Sequence, residues 1–198
     1  MNDRIRRENF VVHVMNAGFE RAANSFAKFI GKDVQVTNTK SFLIRHDDDF
    51  SYISEEEGLL YVLVTEVIGS LYGKSYLIFN ETETQVVNQL LSTAEASMKD
   101  AILMELDNII SASVISELSN ALKLSIYGDV PNLKKMHAID LQEFIRADSN
   151  EKDPASIILT NTTFLFDRHQ EIHPQFIWKL STSIFDKVPA EQVAVPDK

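Results

Sequence analysis

The apolar residues Phe10, Val11, Val14, Ala22, Phe26 and Ile30 recur at helical spacing along the first thirty positions, and Gly31 supplies a stop. This pattern predicts one long helix from about Asn2 to Ile30. Short β-branched and aromatic runs bounded by turn residues follow, at Val34 to Val36, Ser41 to His46, Gly58 to Val67 and Leu71 to Phe79. They predict strands, with Ile68-Gly69-Ser70 as a hairpin turn. Asn80 with Glu83 has the form of a capping box opening a helix to about Thr93. Ser97 with Asp100 marks a second such start, for a helix to about Lys123. Beyond it the pattern predicts a strand near Leu124 to Val130, a short helix from Asp140 to Ala147, and a hairpin of Ser156 to Phe166 with Gln175 to Ser183. Residues from Pro189 onward have the character of a frayed tail.

Laying the first helix on the long later one with an offset of 92 residues puts Phe26, Ile30 and Val34 on Leu118, Leu122 and Ile126. Asn16 falls on Asn108, the one identity between residues 13 to 39 and 105 to 131. An old duplication leaves such a trace, although two unrelated amphipathic helices also align this way. The expected fold class is α+β, an antiparallel β-sheet covered on one face by long α-helices and arranged as two quasi-equivalent halves. The expected domain is single, residues 1 to 188, with halves of about 1 to 96 and 97 to 188, and residues 189 to 198 as a flexible tail.

Composition narrows the function classes. The 198 residues carry a formal net charge of -10, which disfavours nucleic acid as a partner, since phosphate-backbone binders need a basic stripe. The absence of cysteine excludes disulfides, thiolate catalysis and cysteine-type zinc sites. No run of about 18 apolar residues offers a membrane span, and MNDRIRRENFVVHV lacks an apolar core of signal-peptide length. The expected compartment is the cytoplasm. The acidic runs Asp47 to Asp49 and Glu55 to Glu57 have the look of solvated loop, not of a metal site.

The stretch ELDNIISASVISELSNALKLSIYGDVP, residues 105 to 131, carries the candidate chemistry. At 100° per residue, Leu103, Leu106, Ile110, Val114 and Ala121 form an apolar stripe, and Glu105 and Asn108 point away from it. Ala101, Ala112 and Ser119 share that outer face, so the two polar groups rise from small side chains over which a partner surface can approach. Glu105 precedes Asn108 with two residues between, and Pro131 follows Asn108 after twenty-two. In this spacing the chain resembles the CheC, CheX and FliY phosphatases, which carry Glu, two residues, Asn, a gap of the same length and Pro. GKSYLIFNETETQVVNQLL and ALKLSIYGDVP are similar to the family's strand-helix and helix-strand passages, and the resemblance extends over most of residues 8 to 185. The family has Asp or Ser four residues before the Glu, where this chain has Ala101; Asp100 is no substitute, being a 100° turn away.

The resemblance implies a phosphatase acting on a phosphorylated CheY-like response regulator. Glu105 would pair with a lysine of that regulator and Asn108 would enter its active site. A carboxamide suits the second role, because it can hold an attacking water in line with an aspartyl phosphate without itself titrating. No cofactor of the chain's own is expected; magnesium would come with the regulator. The rival reading is an adaptor of the same fold, with Ala101 marking decay of the catalytic face. On the first helix Asn16 occupies the Asn position but His13 stands where Glu is expected, leaving at most a second docking face. His169, Glu171 and His173 are expected in an exposed turn without metal, and Trp178, alternating with Phe176 and Leu180, in a half-buried strand. Uncovered sheet edges are compatible with an edge-paired homodimer.

Overall fold

The computed structural model describes residues 3–44, 58–91, 96–147, 155–166 and 170–193. Helix α1, Asp3–Ile30, ends where Gly31 adopts a φ of 67°, and Lys32 N–H then bonds back to the carbonyl of Ala27. Helix α3, Ala96–Leu122, ends in the same way: Lys123 has a φ of 54° and Leu124 N–H bonds to the carbonyl of Ser119. The terminating positions of the two helices are all related by the 92-residue offset. The two halves therefore share a backbone device as well as an apolar pattern. The left-handed residue lets the next N–H reach an orphan carbonyl of the last turn, which glycine does freely and lysine at a small cost.

Strands β1 (Val34–Ile44), β2 (Leu59–Gly69) and β3 (Gly73–Asn80) follow α1, and the capping box at Asn80 opens α2, Glu81–Leu90. Asn80 Oδ1 accepts from Glu83 N–H at 2.8 Å and Glu83 Oε2 accepts from Asn80 N–H at 3.0 Å, as the sequence predicts. After α3 come β4 (Ile126–Gly128), β5 (Asn132–His137), α4 (Ala138–Ala147), β6 (Ala155–Phe166), β7 (Glu171–Ile172) and β8 (Gln175–Ser181). A 3-10 segment, Thr182–Lys187, and a short α5, Ala190–Val193, complete the described chain.

All pairings are antiparallel, in the order β1-β6-β8-β3-β2-β4. Equating β1 with β4, β2 with β6 and β3 with β8 turns this order into its own reverse, so the halves are related by a pseudo-twofold between β3 and β8. The first strand of each half lies on the hairpin of the other: β1 on β6, β4 on β2. Helices α1 and α3 cover one face of the sheet, over a core that includes Phe19, Phe26, Leu106, Ile110, Val114 and a fully buried Trp178. The other face carries α4, whose Leu141 and Ile145 close a smaller core with Leu60, Val62, Tyr76 and Ile177. Gly18 sets the closeness of the two long helices, because a Cβ there would lie 2.6 Å from Val114 Cα.

The structure alters several sequence expectations. Val34 to Val36 and Ser41 to Ile44 are one strand, not two, with an irregularity between Thr37 and Lys40 at which Asn38 has a φ of 55°. Strand β5 has no counterpart among the expected elements. Its side chains are mostly exposed, so no apolar alternation announces it, and backbone pairing with β2 from Leu59↔His137 to Val64↔Asn132 defines it. The last expected strand stops at Ser181, whose side chain accepts from Ser183 N–H and turns the chain into the 3-10 segment. Residues 190–193 are folded, not frayed: Val193 is buried, and Arg6 Nη1 donates to its carbonyl at 2.9 Å. Asn2, His46, the acidic runs at 47–49 and 55–57, Thr93, His169 and residues 194–198 lie outside the described residues.

Candidate docking and catalytic face

Helix α3 presents the apolar stripe inward, with Leu103, Leu106, Ile110 and Val114 buried. Glu105 and Asn108 are exposed on the opposite side, one turn apart, between exposed Ala101 and Ala112. Among the described residues no hydrogen bond or ion pair engages either side chain. Their donors and acceptors are open to whatever approaches this face. Asp100 pairs with Lys135 Nζ of β5 at 2.9 Å, so its carboxylate is turned to the sheet edge and does not stand in for the Asp or Ser expected at Ala101. Ser119 does not extend the open face, because its hydroxyl donates to the carbonyl of Leu124 at 2.6 Å and helps to end the helix.

Pro131 is buried at a break in the β2 edge. Gly128 pairs with Val67 and Asn132 with Val64, so residues 129 to 131 stand opposite only Thr65 and Glu66. This is a bulge, where a residue without an N–H is tolerated. Gly128 lies under α3: a Cβ there would meet Ile115 at 3.1 Å and the Thr65 methyl at 3.2 Å. The Glu, Asn and Pro of the motif are thus parts of one local assembly, the middle of α3 seated on the bulged edge of β2.

Sequence reasoning missed the group at the centre of that assembly. Asp107, between Glu105 and Asn108, is fully buried. Thr65 Oγ1 donates to its Oδ2 at 2.6 Å, Ser111 Oγ donates to its Oδ1 at 2.9 Å, and Ser75 Oγ lies 3.3 Å from Ser111 Oγ. Burial pushes the Asp107 carboxyl up to about 7, against the hydroxyl bonds from Thr65 and Ser111, which pull it down. The signal was present: Asp107 falls four residues after Leu103 and three before Ile110, on the apolar stripe itself, where an acid needs partners.

The corresponding face of α1 is built differently. His13 is exposed, but Asn16 is half-buried and its Oδ1 accepts from Ser41 Oγ of β1 at 2.7 Å. Ser41 Oγ also lies 2.8 Å from Thr160 Oγ1 of β6. The two asparagines that align in sequence therefore differ in state, one bare and one tied to the sheet. His173, exposed like Glu171, has Nδ1 3.0 Å from Thr163 Oγ1, and its backbone N–H donates to Glu83. No group of three or more His, Asp or Glu that could hold a metal occurs among the described residues, and no helix there is long and apolar enough to cross a membrane.

No family model and no curated protein matches the chain. Solved structures do. FliY from Thermotoga maritima superposes with a TM-score of 0.69 at 16% identity, over 94% of this chain and 95% of that one. A chemotaxis protein CheX from Desulfovibrio desulfuricans gives 0.56 at 13% identity, over 85% and 99%. FliM in a FliM-SpeE complex from H. pylori gives 0.58 at 7% identity, over 96% and 97%. With its palindromic antiparallel sheet and paired long helices, the chain has the CheC-like fold of FliY, CheX and FliM.

Proposed function

We propose that the chain is a cytoplasmic phosphatase of the CheC and CheX type, which docks the α3 face on a phosphorylated CheY-like response regulator in chemotaxis or a related two-component pathway. The observation that carries this reading is the bare, exposed pair Glu105 and Asn108, one turn apart between alanines on an otherwise well-bonded helix. Asn108 enters the regulator's site and orients the attacking water by its carboxamide, so catalysis is alignment and electrostatics, without a covalent step on this chain. Glu105 pairs with a lysine of the regulator, and magnesium belongs to the regulator. With a net charge of -10 the chain gains no long-range steering toward an acidic site, which places the attraction on local contacts such as Glu105.

Ala101 supports a second reading, an adaptor that binds a regulator or another signalling protein without hydrolysis. The FliM of the H. pylori complex has the same fold and was crystallised with a protein partner. The deciding experiment follows acyl-phosphate decay on response regulators of the same genome, with wild-type protein and with Asn108→Ala. Acceleration lost in the variant supports the phosphatase. Binding without acceleration for any regulator leaves the adaptor.

A further inference from the structure

We infer that Asp107 is a positioning residue for the docking face, and that its protonation state, relayed through Thr65, Ser111 and Ser75, sets how firmly the Glu105–Asn108 turn is seated on β2. The inference rests on the proposed use of that face, but its physical content is separate. Asp107 sits in the same helical turn as both exposed groups, turned inward where they turn outward. Thr65 ties it to the strand position opposite the Pro131 bulge, and Ser111 with Ser75 carries the chain of hydroxyls on to β3.

No cation pairs with Asp107 among the described residues. The charged groups on the elements around it are engaged elsewhere or face outward: Glu66 of β2 with Lys74 of β3, Lys135 of β5 with Asp100, Arg21 of α1 with Glu117, Glu83 of α2 with its own cap and His173, and Glu105 toward solvent. The polar groups on Asp107 are therefore the hydroxyls, and the proton decides which way they point. In the ionised state Thr65 and Ser111 both donate to the carboxylate, and Ser75 can donate to Ser111. In the neutral state the carboxyl itself must donate one bond, so one link of the chain reverses. An ionised carboxylate in a dry site also draws the turn toward water, whereas a neutral one leaves it packed. The face is firmly seated at mildly acidic pH and loosened as the pH rises, because the burial that pushes Asp107 upward brings this exchange near neutrality.

The test records the side-chain amide resonances of Asn108 by NMR in the full chain, without a partner, from about pH 5.5 to 8.5 around the expected midpoint. In the wild type they are expected to move with an inflection near 7, which persists in Glu105→Gln and disappears in Asp107→Asn. Ser111→Ala, which removes a bond to the charged form, is expected to raise the midpoint. An inflection that survives Asp107→Asn belongs to another group and overturns the inference, as does its absence from the wild type. Regulator dephosphorylation separates this inference from the reading beneath it. If Asn108→Ala abolishes acceleration while wild type and Asp107→Asn share one pH profile, the coupling falls and the docking reading stands. If the resonances show the coupling while Asn108→Ala leaves phosphate decay unchanged, the docking reading falls and the coupling stands.

Discussion

Helices α1 and α3 are built to one plan and differ in how their polar groups are engaged. Each ends in a left-handed residue followed by the same back-bond, and each feeds the first strand of its half. Their aligned asparagines diverge: Asn16 is bonded to Ser41 across to β1, while Asn108 is left open. The burial of polar groups diverges in the opposite sense, since α3 hides Asp107 whereas the residue aligned with it on α1 is Met15, a buried apolar side chain. Scaffold and site thus obey separate constraints. Termination and core spacing persist because backbone bonds and packing demand them, and a carboxamide on the outer side of the helix is free either to bond to the sheet or to stay open to solvent.

The sharpest way to break this comparison is to truncate both asparagines. On the proposed phosphatase reading, Asn108→Ala is expected to lower the rate of regulator dephosphorylation by about 100-fold, the usual cost of losing one aligned polar group. Asn16→Ala should leave that rate within about twofold, because a group already bonded to the sheet does no alignment. Equal losses in a phosphate-release assay would show that the faces are equivalent.

Next in size is the helix contact. Gly18→Val puts a branched side chain against the Val114 backbone and should lower stability by about 2 kcal/mol, read as a drop in urea midpoint at unchanged slope. The aligned position on α3 is Ile110, which is large and buried, so the close approach is made from one side only.

Per pH unit, the buried acid gives a smaller effect with a definite sign. Its folded pKa of about 7 lies above the ordinary carboxylate value, so its stability contribution is fully present below the unfolded pKa and is lost as the pH rises through 7. Between pH 5 and 7 the wild type should lose on the order of 1 kcal/mol per pH unit relative to Asp107→Asn in paired urea titrations. A difference that stays constant with pH would mean that Asp107 is ionised throughout that range. Smallest is Ser41→Ala, which should cost about 0.5–1 kcal/mol and free Asn16, detected as a shift of the Asn16 side-chain amide resonance.

How much of this was legible in the residues depends on whether a local rule governed them. The capping box at Asn80 and Glu83, the stop at Gly31 and the inward stripe of α3 are written in short-range chemistry, and the structure follows them. Glu105 and Asn108 were legible as outward-facing by helical arithmetic, whereas the burial of Pro131 in a bulge of the β2 edge was not. Strand β5 was not, since Lys134 and Lys135 reveal an edge strand only once β2 is known to lie beside them. Nor was Ser41 as the partner of Asn16, a contact made by the tertiary fold, or α5, which is held by Arg6 from the opposite end of the described chain. Asp107 lay between these extremes: an acid on an apolar stripe is visible, but its hydroxyl partners are Thr65 of β2 and Ser111 one helical turn on, and only the fold brings Thr65 to it.

The exchange of first strands between the halves has a consequence for birth of the molecule on the ribosome. Strand β1 must wait for β6, which emerges roughly 110 residues later, so at about 5–20 residues per second it stays unpaired for several seconds or more. Neither half can finish its share of the sheet from its own residues. During that interval the nascent chain holds out an apolar ribbon, Phe42-Leu43-Ile44, flanked in sequence by Lys40 on one side and by Arg45 and Asp47 to Asp49 on the other. A synonymous slowdown between codons 44 and 155 lengthens that interval and should lower the yield of native protein, measured as soluble fraction in a coupled translation reaction.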